Sequence, residues 1–245
     1  MSQPWPVHRF DTIDSTNTEA KRRAKAGSFA DGWIVADEQT AGRGRLERGW
    51  ASPKGNLFCT ALFHEPGGFA VAARIPFAAA LAVSDVAQHF APGAEARLKW
   101  PNDVRVRGQK LSGILIETGN DGAGLWVAAG MGINVAEAPP AAGQAATCLA
   151  TLAPGTHFTA GEVFADLSEC FARRLEQARQ GFETVRRDWL ARAEGLGQTV
   201  RVVPGGEAIE GVFEDMAADG ALILRLPDGS HQTIRAGDVQ LVGGM

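Results

Sequence analysis

Cysteine is scarce in this 245-residue chain. Cys59, Cys148 and Cys170 lie far apart and form no metal-binding or redox spacing. An odd number without a framework suits a reducing compartment. Histidine is nearly as rare. His8, His64, His89, His157 and His231 fall outside every motif described below, which argues against histidine acid–base catalysis and a Ser-His-Asp arrangement. Neither a P-loop nor a GxGxxG turn between strand and helix occurs, so the common nucleotide-binding folds are not signalled. The opening "MSQPWPVHRF" has no signal-peptide core, and no apolar run is read as reaching membrane-spanning length. A soluble, cytoplasmic protein is expected. An excess of positive charge is missing too: 24 Lys and Arg against 28 Asp and Glu leave a net charge of −4. A general polyanion-binding surface is thereby excluded, and basic chemistry must be local.

The composition, 45% apolar and 21% charged, is sufficient for a buried core of one large domain, or of one large and one small domain. After Gly197 there are three Arg against seven Asp or Glu, so this tail carries the entire net charge of −4 and reads as a separate acidic module. Its segments "QTVRVV", "AIEGVFED", "GALILRL", "HQTIRA" and "VQLV" are short strands between Gly-, Pro- and Asp-bearing turns, the pattern of a small barrel. Upstream, Thr16 and Glu19 have capping-box spacing before a helix over Asn17–Ala26. Strands follow in "WIVADEQ" and "LFCTALF", then one long Ala-rich helix over "VAARIPFAAALAVSDVAQHF" with Pro76 in its first turn. "ARLKW", "DVRV", "KLSGILIET" and "GLWVAAGMGINV" are further strands. Residues Gly143 to Phe158 read as loop plus a short helix. Two helices, "TAGEVFADLSECFARRLEQARQG" and "FETVRRDWLARAE", complete the large domain. The fold class is α+β, a mixed β-sheet with flanking helices, with the domains divided as 1–196 and 197–245.

Three stretches carry candidate chemistry. "TAGRGRLERGW" packs Arg43, Arg45 and Arg48 among glycines. Either it is a solvated turn, or Gly42 and Gly44 let its backbone approach an anion that the guanidinium forks bind. Trp50 either stacks on a base or anchors the next strand. In "KWPNDV", Lys99, Asn102 and Asp103 surround Pro101, as a plain turn or as a site where Asp103 offers an oxygen to Mg²⁺. In "KLSGILIE", Lys110 enters an apolar strand and must reach solvent or meet an anion. Gly113 leaves a gap where a ligand could pack. Gly130 and Gly132 in "GMGINV" suggest close approach of a ligand or neighbouring backbone. Ser15 and Thr16 are read first as helix caps.

In this order, "STN", "EQTAGRGRLERGWASPKGNLF", "KWPNDV", "KLSGILIE" and "GMGIN" resemble the biotin protein ligases, over Asp14 to Val135. The tail resembles that family's small SH3-like C-terminal domain. The resemblance implies the biotin–lipoate ligase fold, akin to class II synthetases. It also implies two steps: biotin and MgATP give biotinyl-5′-adenylate, and the biotinyl group then passes to one lysine of a biotin carboxyl carrier domain of acetyl-CoA carboxylase or a related carboxylase.

On this resemblance, Ser15, Thr16, Asn17 and Gln39 would hold the biotin ring, with Arg43, Gly44, Arg45, Lys110 and Gly113 along its tail. Arg43, Arg45, Arg48, Trp50, Lys99, Asn102 and Asn134 would hold the nucleotide. Lys110, Arg45 and Asp103 would be catalytic, and Asp103 the one metal contact. The family also implies a homodimer formed by pairing of the large-domain sheets. Only about fourteen residues precede "STN", too few for a DNA-binding helix-turn-helix, so no nucleic-acid partner and no membrane is expected. Family members commonly carry a further Gly-Arg pair before the tryptophan, where this chain has Leu46, Glu47 and Arg48. Glu47 either faces solvent or pairs with Arg48, leaving catalysis intact, or weakens adenylate retention. The alternatives are a lipoate or octanoyl ligase or transferase of the same fold, and a non-catalytic biotin-binding regulator.

Overall fold

The computed structural model describes residues 5–27, 29–139, 145–204 and 207–242. Seven strands form one sheet: β1 (Val7–Phe10), β2 (Gly32–Ala36), β3 (Leu57–His64), β4 (Ala96–Lys99), β5 (Asp103–Val106), β6 (Gln109–Asn120) and β7 (Leu125–Ile133). Their spatial order is β1-β2-β3-β7-β6-β5-β4. Only β1 and β2 run parallel; the other neighbours are antiparallel.

Strand periodicity sorts the side chains onto two faces. On one, Trp33, Val35, Cys59, Ala61, Phe63, Val127, Ala129 and Met131 join the main core. Helices α2 (Gly68–Ala72), α3 (Ile75–Phe90), α5 (Ala160–Gln180) and α6 (Glu183–Leu190) pack there. On the other, Ile34, Leu62, Trp126 and Ala128 meet Ala20 and Ala24 of α1 (Thr16–Lys25). This short helix covers only part of its face. Beyond its N-terminus the sheet presents Gly130, Gly132 and Gly113, the last two paired across β6 and β7. That uncovered end is where a site can form.

Several expectations are corrected in detail. The long Ala-rich helix is two helices, α2 and α3, broken around Ala73 and Arg74, with Pro76 in the first turn of α3. The Arg74 guanidinium donates to the Ala178 carbonyl at 3.0 Å. Taken together, Gly68–Phe90 is 23 residues long and apolar enough to span a bilayer, contrary to the reading that no run reaches that length. It is largely buried as core. The capping box expected of Thr16 and Glu19 does not form, because both side chains have other partners. Ser15 is the N-cap of α1, Thr16 binds Gln39, and Glu19 accepts from Arg22 and Arg23, each at 2.9 Å. A capping box closes α5 instead, between Thr159 and Glu162. The short helix expected between 143 and 158 is α4 (Leu149–Leu152); residues 143 and 144 lie outside the described residues.

The tail forms all five expected strands: β8 (Thr199–Val202), β9 (Ile209–Met216), β10 (Leu222–Arg225), β11 (His231–Ile234) and β12 (Val239–Leu241). They make one antiparallel sheet ordered β11-β10-β9-β8-β12, the SH3-like module. Phe213 of β9 and Trp189 of α6 are fully buried with ring centroids 6.5 Å apart. The Trp100 indole N–H donates to the Gly220 carbonyl at 3.0 Å. Gly220 sits in the left-handed region at φ 83°, and a Cβ there would lie 2.2 Å from the Phe77 ring. Gly220→Ala therefore combines an unfavourable backbone region with overpacking against a rigid ring. We expect a loss of about 2–4 kcal/mol in urea unfolding. A loss under about 1 kcal/mol would show that the Phe77 ring yields.

Candidate functional site

A cavity of about 1000 Å³ opens over the glycine-bearing end of the sheet. Its walls come from the N-terminus of α1, the arginine loop, strands β4 to β7 and the β11–β12 connection. Every residue given a catalytic, biotin-binding, nucleotide-binding or metal role above lines it, from Ser15, Thr16, Asn17 and Gln39 to Lys99, Gly113 and Asn134, whereas Gly42 does not.

One end is uncharged and densely hydrogen-bonded. Gln39 Oε1 accepts from the Thr16 backbone N–H at 2.8 Å and from its hydroxyl at 3.2 Å. Gln39 Nε2 donates to Ser52 Oγ at 2.8 Å. Thr60 Oγ1 lies 2.9 Å from Thr16 Oγ1 and 2.7 Å from Asn17 Oδ1. The Asn17 amide donates to the Leu115 carbonyl and to Glu117. Ser15, Thr16, Asn17 and Thr60 are all buried. A Cβ on Gly130 would lie 2.0 Å from Asn17 Oδ1, so this glycine makes room for Asn17 rather than for a ligand or a neighbouring backbone.

Two residues along β7 the character changes. The Trp50 indole lies over Gly132 and Gly113: a Cβ on either would be 2.7 Å and 3.0 Å from it. The gap left by Gly113 is thus shared between Trp50 and Lys110. The Trp50 Nε1–H is buried without an acceptor among the described residues, a donor that a bound molecule would satisfy. Lys110 Nζ stands 5.3 Å from the Trp50 ring centroid and 2.8 Å from Asp103 Oδ1. The lysine that enters an apolar strand has met an anion.

The arginine loop is a small hairpin. Arg43 pairs with Gly49, and Trp50 N–H donates to the Gly42 carbonyl at 2.9 Å. A Cβ on Gly42 would stand 2.4 Å from the Trp50 carbonyl, so this glycine serves the loop's own closure. Arg43 reaches Glu117 at 3.3 Å. Arg45 donates to Asn102 Oδ1 at 3.1 Å and lies 3.7 Å from Asp238. Arg48 donates to Asp238 at 2.6 Å. Asn102 is itself locked to β6, its amide donating to the Ile114 carbonyl at 2.7 Å. Gly44 N–H donates to the Arg48 carbonyl. Glu47 points to solvent, its side chain 83% exposed and 3.6 Å from Arg43. Its partner is Arg43, not Arg48, which Asp238 has taken. Asn134 is more structural than expected: its amide donates to the Lys110 and Thr147 carbonyls and holds the start of β6 in place.

Three further acidic residues belong to or border this site: Glu194, which lines the cavity and binds Arg105 at 2.7 Å, Glu117 and Asp238. Glu117 binds Lys21, Arg43 and Asn17 at once. Burial pushes its carboxyl up, but the hydrogen bonds from Lys21 and Asn17 with the field of Arg43 outweigh that, and it titrates low. It closes "KLSGILIE" four residues after Gly113, on the same strand face, a signal present in the sequence. Asp238 comes from the β11–β12 connection and has no such signal. Burial raises its carboxyl too, and the Arg48 hydrogen bond with the fields of Arg48, Arg45 and Lys99 brings it below the usual range.

Comparison with known proteins places these features in context. Residues 9–134 match the biotin/lipoate A/B protein ligase family, and residues 195–242 match the biotin protein ligase C-terminal domain. The chain is similar to a biotin–acetyl-CoA-carboxylase ligase of Paracoccus denitrificans, 41% identical over 92% of this chain and 96% of that one. A ligase of the same name from Mycobacterium tuberculosis is 37% identical over 92% of this chain and 85% of that one. The solved structure of a biotin protein ligase from Aquifex aeolicus in complex with biotin and ATP covers 97% of this chain and 98% of its own, with a TM-score of 0.80 and 26% identity.

Lys99 generates a pH dependence. Burial depresses its pKa; the Asp103, Glu194 and Asp238 carboxylates oppose this and Arg105 adds to it. It therefore loses its proton below the ordinary lysine range. A bound polyphosphate favours the charged form. Affinity for inorganic pyrophosphate should fall as pH rises through that lowered range, with proton uptake on binding. Calorimetry between about pH 7 and 10 should show the decline in the wild type and a flatter profile in Lys99→Met. Identical profiles would remove Lys99 from the anion site.

Proposed function

Because the chain belongs to the biotin protein ligase family, we propose that this cavity joins biotin to ATP and holds the product for a carrier lysine. The protein is an ATP-dependent biotin protein ligase. Biotin and ATP give biotinyl-5′-adenylate and pyrophosphate, and the biotinyl group then passes to a lysine of the carrier domain of acetyl-CoA carboxylase or a related carboxylase. The observation that carries the assignment of roles is the order of groups along one sheet face: a hydrogen-bonding end lined by neutral side chains, with Arg43 and Glu117 at its border, then Trp50 over paired glycines, then Lys110, Arg45 and Arg48.

Each end suits one reactant. The biotin ureido ring offers a carbonyl and two N–H groups, and Ser15, Thr16, Asn17 and Gln39 offer matching donors and acceptors. A lipoyl dithiolane would leave those buried polar groups unpaired, so this end favours biotin over lipoate. The acyl tail runs past Arg43, Gly44 and Gly113. At the cationic end a carboxylate oxygen must attack the α-phosphorus while pyrophosphate departs in line. Two anions meet there, and catalysis consists largely of positioning and charge neutralisation. Lys110 exchanges Asp103 for the biotin carboxylate and the α-phosphate. Arg45 holds the adenylate phosphate, Arg48 and Lys99 take the outer phosphates, and Trp50 and Asn102 border the adenine. With the hairpin closed, water is kept from the mixed anhydride.

In the second step the carrier amine attacks the acyl carbonyl and AMP leaves. Asp103, freed from Lys110, orients the incoming lysine. Magnesium, held mainly by the nucleotide's phosphates, would neutralise their charge; among the described residues no group of three His, Cys, Asp or Glu side chains could hold an ion. Asp103, beside Lys110, would add an oxygen to a phosphate-bound ion. We assign residues 1–196 to the catalytic unit and 197–245 to the small C-terminal unit, and place the reaction in the cytoplasm, where ATP and the carrier meet.

The deciding assay is pyrophosphate release with MgATP, a carrier domain and either biotin or lipoate. Biotin-dependent release is expected; none would sink the reading, and release with lipoate alone would transfer it to lipoate ligation. Within that assay, Lys110→Ala should slow adenylate formation about 100-fold or more while changing MgATP affinity by less than about fivefold. Equal losses in both would contradict its place at the reacting centre.

A further inference from the structure

The anion that meets the phosphate-binding cations in this structure is a carboxylate of the chain itself. Asp238 lies between β11 and β12, more than 180 residues from the hairpin. It accepts from Arg48 at 2.6 Å and stands 3.7 Å from Arg45, while the neighbouring Gly237 carbonyl accepts from Arg45 at 3.5 Å. Lys99 contributes its field to the same carboxylate. The position is held firmly. A Cβ on Gly237 would lie 2.8 Å from Val202 and 3.2 Å from the Val203 carbonyl, and Val239 is buried. The backbone that carries the carboxylate is therefore held at the edge of the C-terminal sheet.

The geometry points to Asp238 as a positioning residue that occupies Arg45 and Arg48 in the empty enzyme and competes with the nucleotide's phosphates for them. This rests on the functional reading above. The carboxylate does two opposed things. It holds the hairpin over the cavity before nucleotide arrives, and it lowers affinity for the nucleotide by the strength of the contacts that must be exchanged. By linkage, phosphate binding releases the β11–β12 connection to the same extent. The small sheet is thereby a participant in the adenylation site, one that reports on its occupancy.

The test is Asp238→Asn, which keeps size and hydrogen-bonding capacity and removes the charge. Two exposed or half-exposed ion pairs are at stake, so the KM for MgATP should fall about threefold to fivefold, with kcat of adenylate formation changed less than about twofold. In the ligand-free protein, trypsin should cut the hairpin after Arg43, Arg45 or Arg48 faster than in wild type, because the open form is more populated. Saturating MgATP should erase that difference. Asp238→Glu should restore both properties toward wild type. A KM that rises, or a hairpin no more susceptible than in wild type, overturns the proposal. A merely structural role would lower unfolding stability without the KM decrease. A wild type inactive with biotin refutes the functional reading instead, so the two failures are distinguishable.

Discussion

Positive charge cannot be gathered around a half-buried cavity unless each centre has somewhere to discharge its field. Arg43, Arg45, Arg48 and Lys110 each meet a carboxylate here, and the carboxylates come from separate elements: Asp103 on β5, Glu117 on β6 and Asp238 beside β12. The pairing thus ties the hairpin, the first helix and the small sheet to the same face of the large sheet. Burial alone would raise the Glu117 and Asp238 carboxyls; their net low titration shows that the cations win. The arrangement is also suited to exchange, since a carboxylate that neutralises a cation can be replaced by a phosphate that does the same.

Shape is set by absence of side chains as much as by their presence. Gly113 and Gly132 face each other across two strands, and the Trp50 indole fills the shallow trough they leave. Gly130, one pleat further, admits Asn17. The division of the cavity into an uncharged and a cationic end follows from which neighbour each glycine admits.

Much of this was legible in the sequence. Strand alternation and turn residues give six of the seven strands of the large sheet and all five of the tail; the short, mostly exposed β1 is missed. The motif order brings together residues from Ser15 to Asn134 that share one cavity. What escaped was of two kinds. Local chemistry has more than one outlet: Thr16 and Glu19 have capping-box spacing, yet Gln39 and two arginines take them. Long-range pairing has no local signature: nothing near Asp238 announces a partner in the hairpin. Gly42 is expected to admit an anion and Gly130 a ligand or neighbouring backbone, whereas Gly42 makes room for the loop's own carbonyl and Gly130 for the Asn17 side chain. Spacing reveals that room is needed, and only the folded chain reveals for what.

Apart from the 3.6 Å approach of Glu47 to Arg43, the tip of the hairpin stands outside these constraints. Leu46 and Glu47 both adopt left-handed backbone at φ 54° without being glycine, and both project into solvent. The residues that meet carboxylates, Arg43, Arg45 and Arg48, sit on its sides and base. The two functions of the loop, presenting charge inward and turning the chain back, are therefore written in different residues. Positions 46 and 47 are therefore a natural place for a reporter group to be attached without disturbing the chemistry beneath.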